Sequence, residues 1–216
     1  MPSTDSLRRQ LSRWLFILFT LAGSSAVASE TCHYTYSVWN AQNRQTSRSL
    51  RVEKRRSELT SSERGPFGCT PCEEDQVHIK LSNGIRYQLC KKVAGPVTDA
   101  LEEALKQGAT INKVVGYRPS MSRGPLNPSG ERTRLSNHAF GVAVDINPNH
   151  NGLYGSCLVW GPKCKLLKGG PWNPDVPLSL QPGHPVLTAL LKSGLRWGGS
   201  IKGNQKDMMH FSPSGY

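Results

Sequence analysis

The chain has 216 residues, with 27 Lys and Arg against 15 Asp and Glu, and a formal net charge of +12 at pH 7. The length suits one domain, and no internal repeat or low-complexity tract indicates a solenoid or a disordered protein. The positive charge favours anionic partners, such as envelope polymers or membrane headgroups. Nucleic acid is not expected, because no aromatic residues are interleaved with the basic ones and no nucleic-acid-binding motif is present.

The first 28 residues have the layout of a secretory signal peptide. Arg8, Arg9 and Arg13 precede the apolar run 14–19, and small residues follow as far as Ala28. No other segment approaches the ~20 continuous apolar residues of a membrane span. We therefore expect a protein exported to the periplasm or the extracellular space, and not integral to the membrane after cleavage. An uncleaved N-terminal anchor is the alternative.

Cysteine usage agrees with export. The six cysteines all follow the predicted cleavage site: Cys32, Cys69, Cys72, Cys90, Cys157 and Cys164. An oxidising compartment would allow three disulfides, of which Cys157–Cys164 is the most plausible local pair, while the other pairings stay open. The segment 69–72 has the spacing of a redox motif or half a zinc site, but no βαβ pattern surrounds it, so disulfide staples are favoured.

The segment 29–94 contains two predicted parts. Residues 40–65 are polar and basic, which predicts an extended or partly disordered arm. Residues 76–90 alternate apolar and polar side chains on both sides of Asn83-Gly84, which predicts a β-hairpin. Because cysteines flank this hairpin, we expect it to be stapled to the arm or to the rest of the chain.

The segment 95–216 is the predicted catalytic domain. A helix is predicted from Pro96 to Gly108, followed by a short strand at 114–115. A second helix is predicted from Pro185 to Gly194. Its buried residues would be Val186, Leu187, Leu190 and Leu191.

The fold class predicted for the chain is α+β. A small antiparallel sheet would carry the functional residues, with two or three helices packed on it and disulfides stapling the structure. Residues 147–182 are rich in Gly, Pro and Asn and contain Trp160 and Trp172. They predict a long ordered loop beside a substrate groove.

Two short segments, 136–145 and 207–211, supply three candidate metal ligands and a further carboxylate. A hydrolytic zinc keeps three ligands from His, Asp or Glu and leaves a fourth position for water, and His138, Asp145 and His210 fill that requirement. A neighbouring carboxylate is still needed to move the proton, and Asp207 is available. The sequence therefore predicts one catalytic Zn²⁺ per chain.

The spacing of these residues limits their local structure. Residues an odd number apart face opposite sides of a strand, so His138 and Asp145 need a bend between them, which Gly141 permits. Asp207 and His210, three residues apart, suit a turn or a bulged strand. All four side chains could then point into one cleft.

These segments, read as S-x-H-x-x-G-x-A-x-D and D-x-x-H-F, resemble the zinc peptidases that cut cell-wall peptides. These are the D-alanyl-D-alanine carboxypeptidase and dipeptidase family and its L-alanyl-D-glutamate endopeptidase relatives, which share their metal site with lysostaphin-type enzymes and the hedgehog signalling domain. Residues 116–118 resemble the family's G-Y-R segment and residues 197–199 its W-G-G segment. The resemblance covers roughly residues 95–216.

The resemblance implies a hedgehog-like fold and assigns roles. Asp207 would be the general base, and Arg118 would face the scissile carbonyl. Ser136 would belong to the substrate-binding side as a hydrogen-bonding group, not a nucleophile. Residues 119–123 depart from the stretch that follows G-Y-R in many relatives, and aspartate at 207 resembles the endopeptidase branch.

The function implied is an exported zinc peptidase acting on peptidoglycan stem peptides, as a D-Ala-D-Ala carboxypeptidase or an L-Ala-D-Glu-type endopeptidase. A carboxypeptidase needs a cation for the terminal carboxylate, and Arg123, Arg132 and Arg134 are candidates. The alternative is a wall-binding module that keeps zinc without turnover. The presence of Asp207 favours the enzyme.

Overall fold

The computed structural model describes residues 29–216 of the chain, so the predicted signal peptide, residues 1–28, lies outside the described residues. The described part contains the helices α1 (Lys91–Lys106) and α2 (Pro185–Lys192). Its strands are β1 (Thr31–Asn40), β2 (Gln45–Arg55), β3 (Gln76–Lys80), β4 (Arg86–Cys90), β5 (Val114–Val115), β6 (Ser120–Leu126), β7 (Arg132–Leu135), β8 (Val144–Ile146), β9 (Leu153–Gly155), β10 (Lys165–Lys168), β11 (Arg196–Trp197), β12 (Gln205–Asp207) and β13 (His210–Ser212). Neither of these helices is long and apolar enough to cross a bilayer.

A four-stranded antiparallel sheet, in the order β11-β13-β8-β5, carries the main apolar core. Val144, Ile146 and Phe211 of this sheet are almost completely buried, and Leu101 of α1 and Leu190 of α2 join the same cluster. The helices pack on each other, and α2 contacts β11. The structure therefore confirms the α+β class, whereas the hedgehog-like topology stays a prediction.

The N-terminal segment is more ordered than its composition predicts. Strands β1 and β2 form an antiparallel hairpin, which is part of a second sheet in the order β2-β1-β6-β7. Of the two alternatives predicted for residues 40–65, an extended or a partly disordered arm, the structure shows an extended one, because main-chain pairing with β1 holds β2 although nearly all of its side chains are exposed. Val52 is the one apolar residue of β2 that packs against a buried cluster, which contains Tyr34 and Leu59.

The predicted hairpin at 76–90 is confirmed as β3 and β4, joined through the Asn83-Gly84 turn. Helix α1 follows directly and begins at Lys91, so the predicted start at Pro96 is wrong, and the predicted boundary between residues 94 and 95 falls inside the helix. Pro96 lacks the N–H that would bond one turn back. Burial of Ala94 and Val97 on the same helix outweighs that loss.

Helix α2 begins at Pro185, as predicted, and ends at Lys192. Val186, Leu187 and Leu190 are buried, but Leu191 is 47% exposed, so its predicted burial is wrong. On an eight-residue helix the buried stripe is narrow, and Leu191 lies beyond its edge.

The segment 147–182 is ordered, as predicted, but it contains the strands β9 and β10. Together with β12 these form a third sheet, in the order β10-β9-β12. The buried side chain of Asn151 ties the segment down by donating to the Leu178 carbonyl at 2.9 Å and accepting from the Leu180 N–H at 2.7 Å.

Three disulfides connect these parts. The predicted Cys157–Cys164 pair is confirmed, and the others are Cys32–Cys72 and Cys69–Cys90. The two cysteines of the segment 69–72 thus bond to different partners, which excludes a redox motif in this state. Cys69–Cys90 ties the start of α1 to the segment that follows the N-terminal hairpin.

Candidate metal centre

A tight bend brings His138 and Asp145 together. His138 lies in a single 3-10 turn, Asn137–Phe140, and Gly141 then takes the left-handed conformation with φ of 64°. A Cβ at Gly141 would lie 2.0 Å from Gln76 Oε1 and 2.5 Å from the Cys90 nitrogen, so a side chain does not fit there. Asp145 follows within β8.

The second segment delivers His210 opposite Asp145. Strand β12 ends at Asp207, Met208 and Met209 make a turn, and His210 opens β13. In the antiparallel pairing of β13 with β8, His210 is the direct partner of Asp145. The turn therefore joins the end of β12 in the third sheet, at Asp207, to the start of β13 in the main sheet, at His210.

The three candidate ligand atoms are close to one another. His138 Nε2 lies 3.0 Å from Asp145 Oδ1 and 3.2 Å from His210 Nδ1, and the last two atoms are 3.0 Å apart. A tetrahedral zinc with bonds of ~2.0–2.1 Å separates its ligand atoms by ~3.3 Å. All three residues are buried, so the donor set and its spacing fit a metal ion.

A backbone carbonyl orients His138. Its Nδ1 lies 2.7 Å from the Gly116 oxygen, which can only accept, so Nδ1 carries the hydrogen and Nε2 is left free for a metal. His210 turns Nδ1 toward the other ligands, and its buried Nε2 has no hydrogen-bond partner among residues 29–216.

The protonation states suit a cation. Burial lowers the pKa of His138, against the influence of Asp145, and so favours the neutral imidazole that binds metals. Burial alone would raise the pKa of Asp145, but the charges and hydrogen bonds of His138 and His210 hold that pKa well below its ordinary value. The site therefore presents one carboxylate and a neutral histidine to an incoming ion.

Arg118 lies beside the ligands, just after β5. Its backbone N–H donates to the His138 carbonyl at 3.0 Å, and its guanidinium donates to Asp145 Oδ2 at 3.3 Å. Tyr117 fixes the same segment by donating its hydroxyl to the Pro71 carbonyl at 2.6 Å. Asp145 thus uses one oxygen for the histidines and the other for Arg118.

Asp207 is a second, half-buried carboxyl near the candidate ligands. Burial raises its pKa to about 6, the charge of Asp145 adds to that rise, and the charges of His210, Arg123 and Lys168 oppose it. Its buried Oδ1 has no hydrogen-bond partner within the described part of the chain. A carboxyl that titrates near neutrality can both accept and donate a proton.

Two further cations, Arg123 and Lys168, act on the Asp207 carboxyl. Arg123 is half-buried, and burial lowers its pKa, while the charge of Asp207 has the largest opposing effect. Lys168 and Asp207 are both paired with Leu153, from opposite sides of β9, so their side chains share one face of the third sheet. Partial burial has the largest effect on the pKa of Lys168 and lowers it, and the positive charge of Arg118 lowers it further. The residue as a whole is nevertheless exposed to solvent.

The remaining predicted residues are Ser136, Arg132 and Arg134, and none of them forms a hydrogen bond or ion pair with His138, Asp145 or His210 through its side chain in the described part of the chain. The Ser136 hydroxyl is buried without a partner among residues 29–216. Arg132 donates to the Gly124 carbonyl at 2.6 Å, and Arg134 packs its stem over Gly124. Sequence reasoning missed Lys168, because only the strand pairing reveals that it lies on the same face of the third sheet as Asp207.

A second group with ligand chemistry, Cys32, Cys72 and Glu74, does not form a comparable centre. Its two cysteines are joined in a disulfide, which removes the thiolates that a metal would need. Within residues 29–216, the group of His138, Asp145 and His210 is thus the one with free donors.

A buried two-histidine, one-aspartate set with a nearby titratable carboxyl is the arrangement of a mononuclear metallohydrolase. The comparison with protein families agrees: the model of a family described as D-alanyl-D-alanine carboxypeptidase matches residues 129–213. This match confirms the family resemblance, supports a metallopeptidase, and spans His138, Asp145, Asp207 and His210. No curated protein and no solved structure gave a match.

Proposed function

We propose that this protein is an exported zinc peptidase that hydrolyses peptide bonds in the stem peptides of bacterial peptidoglycan. The observation that carries the proposal is the mutual spacing of 3.0–3.2 Å between His138 Nε2, Asp145 Oδ1 and His210 Nδ1, with Asp207 beside them. The family match over the same residues supports the peptidase class. Three disulfides and the signal-like N-terminus support export.

His138, Asp145 and His210 would hold one Zn²⁺ per chain. When bound, zinc would polarise the scissile carbonyl and lower the pKa of a water molecule. The hydrogen bond from His138 to Gly116 keeps the ligand nitrogen unprotonated and the ring in place. The ion pair with Arg118 keeps Asp145 ionised and oriented.

Asp207 would move the proton. In its ionised form Asp207 accepts a proton from the attacking water, and it then returns the proton to the nitrogen of the leaving amine. Its buried Oδ1 has no protein partner among residues 29–216, so that oxygen is not already used in a hydrogen bond. Arg118 would donate to the oxygen of the scissile carbonyl as negative charge develops there.

Arg123 and Lys168 would hold a carboxylate of the peptide. Both side chains lie within range of the Asp207 charge, and neither forms a hydrogen bond or ion pair through its side chain within the described residues. Unpaired cations beside a reaction centre favour an anionic substrate group. Arg123 is favoured for this role because the charges of both Asp207 and Asp145 act on it, whereas the Arg132 guanidinium already donates to the Gly124 carbonyl.

The decisive experiment is digestion of purified peptidoglycan by the oxidised, zinc-loaded protein, with release of new amino groups as the signal. His210→Ala and chelator-treated protein should give no release, whereas His78→Ala, on the β3–β4 hairpin, should behave as the unmodified protein. Product masses name the bond: loss of one terminal D-alanine marks a carboxypeptidase, and cleavage nearer the glycan marks an endopeptidase. Zinc binding and wall binding without release would favour the non-catalytic module instead.

A further inference from the structure

A small apolar loop projects from the third sheet, away from the residues of the proposed mechanism. The Cys157–Cys164 disulfide closes it, and its tip is formed by Leu158, Val159 and Trp160. Leu158 is 67% exposed and Val159 79%, the two highest values among the large apolar side chains of residues 29–216. Apolar side chains this exposed and adjacent to each other mark a surface that contacts something else.

The tip is held in position and does not depend on a partner for its shape. Trp160 packs edge-on against Tyr154 and Trp172, with ring centroids 4.8 Å and 4.7 Å apart, yet it remains 42% exposed. The backbone N–H of Cys157 donates to the Asn204 carbonyl at 3.1 Å, which fixes the base of the loop to the neighbouring turn. A preordered loop loses little conformational freedom when its tip is buried.

The surroundings of the tip are cationic. Lys163 lies within the loop just after the tip, Lys165 opens the exposed edge strand β10, and Lys202 lies in the turn beside the base of the loop. No acidic residue occurs between Asp145 and Asp175. A second copy of this chain would bring the same lysines against each other, which disfavours self-association through this surface.

From this combination we infer that the loop tip inserts into the headgroup region of a bilayer rich in anionic phospholipid. Leu158 and Val159 would enter the boundary between headgroups and acyl chains, and Trp160 would lie at the interface, which tryptophan favours. Lys163, Lys165 and Lys202 would contact the lipid phosphates. Leu166 and Leu167, 44% and 52% exposed on the edge strand, would add apolar contact beside the tip.

Docking through this loop would hold the candidate metal centre near the membrane surface. Strand β9 lies between the edge strand β10 and the strand that ends at Asp207. The loop therefore belongs to the same sheet as the proposed general base. The inference goes beyond peptide hydrolysis, and it can fail without affecting that proposal.

The test is sedimentation with vesicles of 30% phosphatidylglycerol in phosphatidylcholine, using residues 29–216, which contain all three disulfides and every described element. Leu158→Ser with Val159→Ser should lower the partition coefficient at least ~10-fold. The control is Leu126→Ser with Leu191→Ser, two leucines elsewhere on the surface that are 44% and 47% exposed, which should change it less than ~2-fold. Near-ultraviolet circular dichroism and the thermal midpoint establish that each variant is folded.

A second variant keeps the inference testable if the serine pair misfolds. Lys163→Gln with Lys165→Gln should weaken binding to the anionic vesicles several-fold and reduce its dependence on salt. Three results would overturn the inference: no binding by the unmodified protein, equal binding to vesicles of phosphatidylcholine alone, or equal binding by the serine pair. A dimer that the serine pair dissociates, without vesicle binding, would identify a self-association surface instead.

Discussion

Asp145 and His210 face each other directly across the β8–β13 pair, with Oδ1 and Nδ1 3.0 Å apart. This register fixes two of the three candidate ligands on adjacent strands of one sheet, so their separation depends on main-chain pairing and not on flexible loops. The third, His138, is positioned by the bend at Gly141 and by the Gly116 carbonyl. A metal ion would therefore meet donors that are already in place.

Asp145→Asn should remove the charge with little change of shape, and we expect metal affinity to fall by at least ~100-fold, because loss of a supporting group alone costs ~10–100-fold. Competition against a chromogenic chelator measures the affinity, and Asp175→Asn, at an exposed position, is the control. A thermal shift offers a second readout: metal at 100 times the dissociation constant of the unmodified protein should stabilise that protein by about 2.7 kcal/mol and Asp145→Asn by no more than about 0.4 kcal/mol. A variant that binds one metal per chain as tightly as before would contradict the assignment.

Asp207→Asn should leave the metal in place and lower kcat by ~10²–10⁴-fold, since the amide can neither accept nor return the proton. Steady-state kinetics on a defined muropeptide, together with the metal content of each sample, separates loss of chemistry from loss of zinc. Asp99→Asn, on the exposed side of α1, should have unchanged kinetics. Full activity in zinc-loaded Asp207→Asn would refute the proposed base.

The candidate ligand residues could be singled out from the sequence because each of the two segments that contain them carries a local signal. The order of His138, Asp145 and His210, with Gly141 between the first two, encodes both the donor types and the bend that joins them. The β3–β4 hairpin was predictable for the same reason, since Asn83-Gly84 specifies a turn between two alternating runs. Within each segment the residues that determine the local structure lie within a few positions of one another, whereas His210 follows Asp145 by 65 residues and meets it only through the pairing of β13 with β8.

Features that depend on long-range pairing were not predictable. Strand β2 has almost no buried side chains, so its composition resembles that of a disordered segment, and only its pairing with β1 orders it. The Cys32–Cys72 and Cys69–Cys90 pairings depend on how that hairpin packs. Lys168 shares a sheet face with Asp207 only because the strands of both residues pair with β9, and no spacing in the sequence encodes that pairing.

Lys168→Met should raise KM about 10-fold for peptides with a free carboxylate next to the scissile bond, because a charge-assisted hydrogen bond contributes about 1.5–3 kcal/mol. For the corresponding amidated peptide the same substitution should change KM little, and kcat should change little for either. Lys165→Met, on the same strand, is the matched control. Equal effects on the acid and the amide would show that Lys168 does not contact the carboxylate.

The disulfides that close the longest and the shortest loop of the three should contribute unequally to stability. Cys32–Cys72 closes a separation of 40 residues and Cys157–Cys164 a separation of 7. In the chain-entropy model their removal costs about 4 and about 2 kcal/mol, respectively. Urea unfolding of the paired Cys→Ala variants measures both values, and a larger loss for the shorter loop would contradict the prediction.

The last prediction concerns a buried ionic group in the N-terminal part. Burial disfavours the charged form of Glu63, but hydrogen bonds from Lys54, Tyr34 and Thr60 outweigh burial and lower the pKa of Glu63 to about 2. Lys54 Nζ lies 2.7 Å from the carboxylate, and both the hydroxyl and the backbone N–H of Thr60 donate to it. This carboxylate connects β1, β2 and the turn that follows them.

Because the folded-state pKa of Glu63 lies below its ordinary value of 4.5, its stabilising effect is complete above pH 4.5 and is lost as the pH falls toward 2. Glu63→Gln should lower the free energy of unfolding by about 1–3 kcal/mol at pH 7, and this deficit should shrink on acidification. Urea titrations at a series of pH values from 7 to about 2.5 measure the difference, with the exposed Glu30→Gln as control. If the unmodified protein and Glu63→Gln lose stability in parallel below pH 4.5, the carboxylate does not hold these strands together.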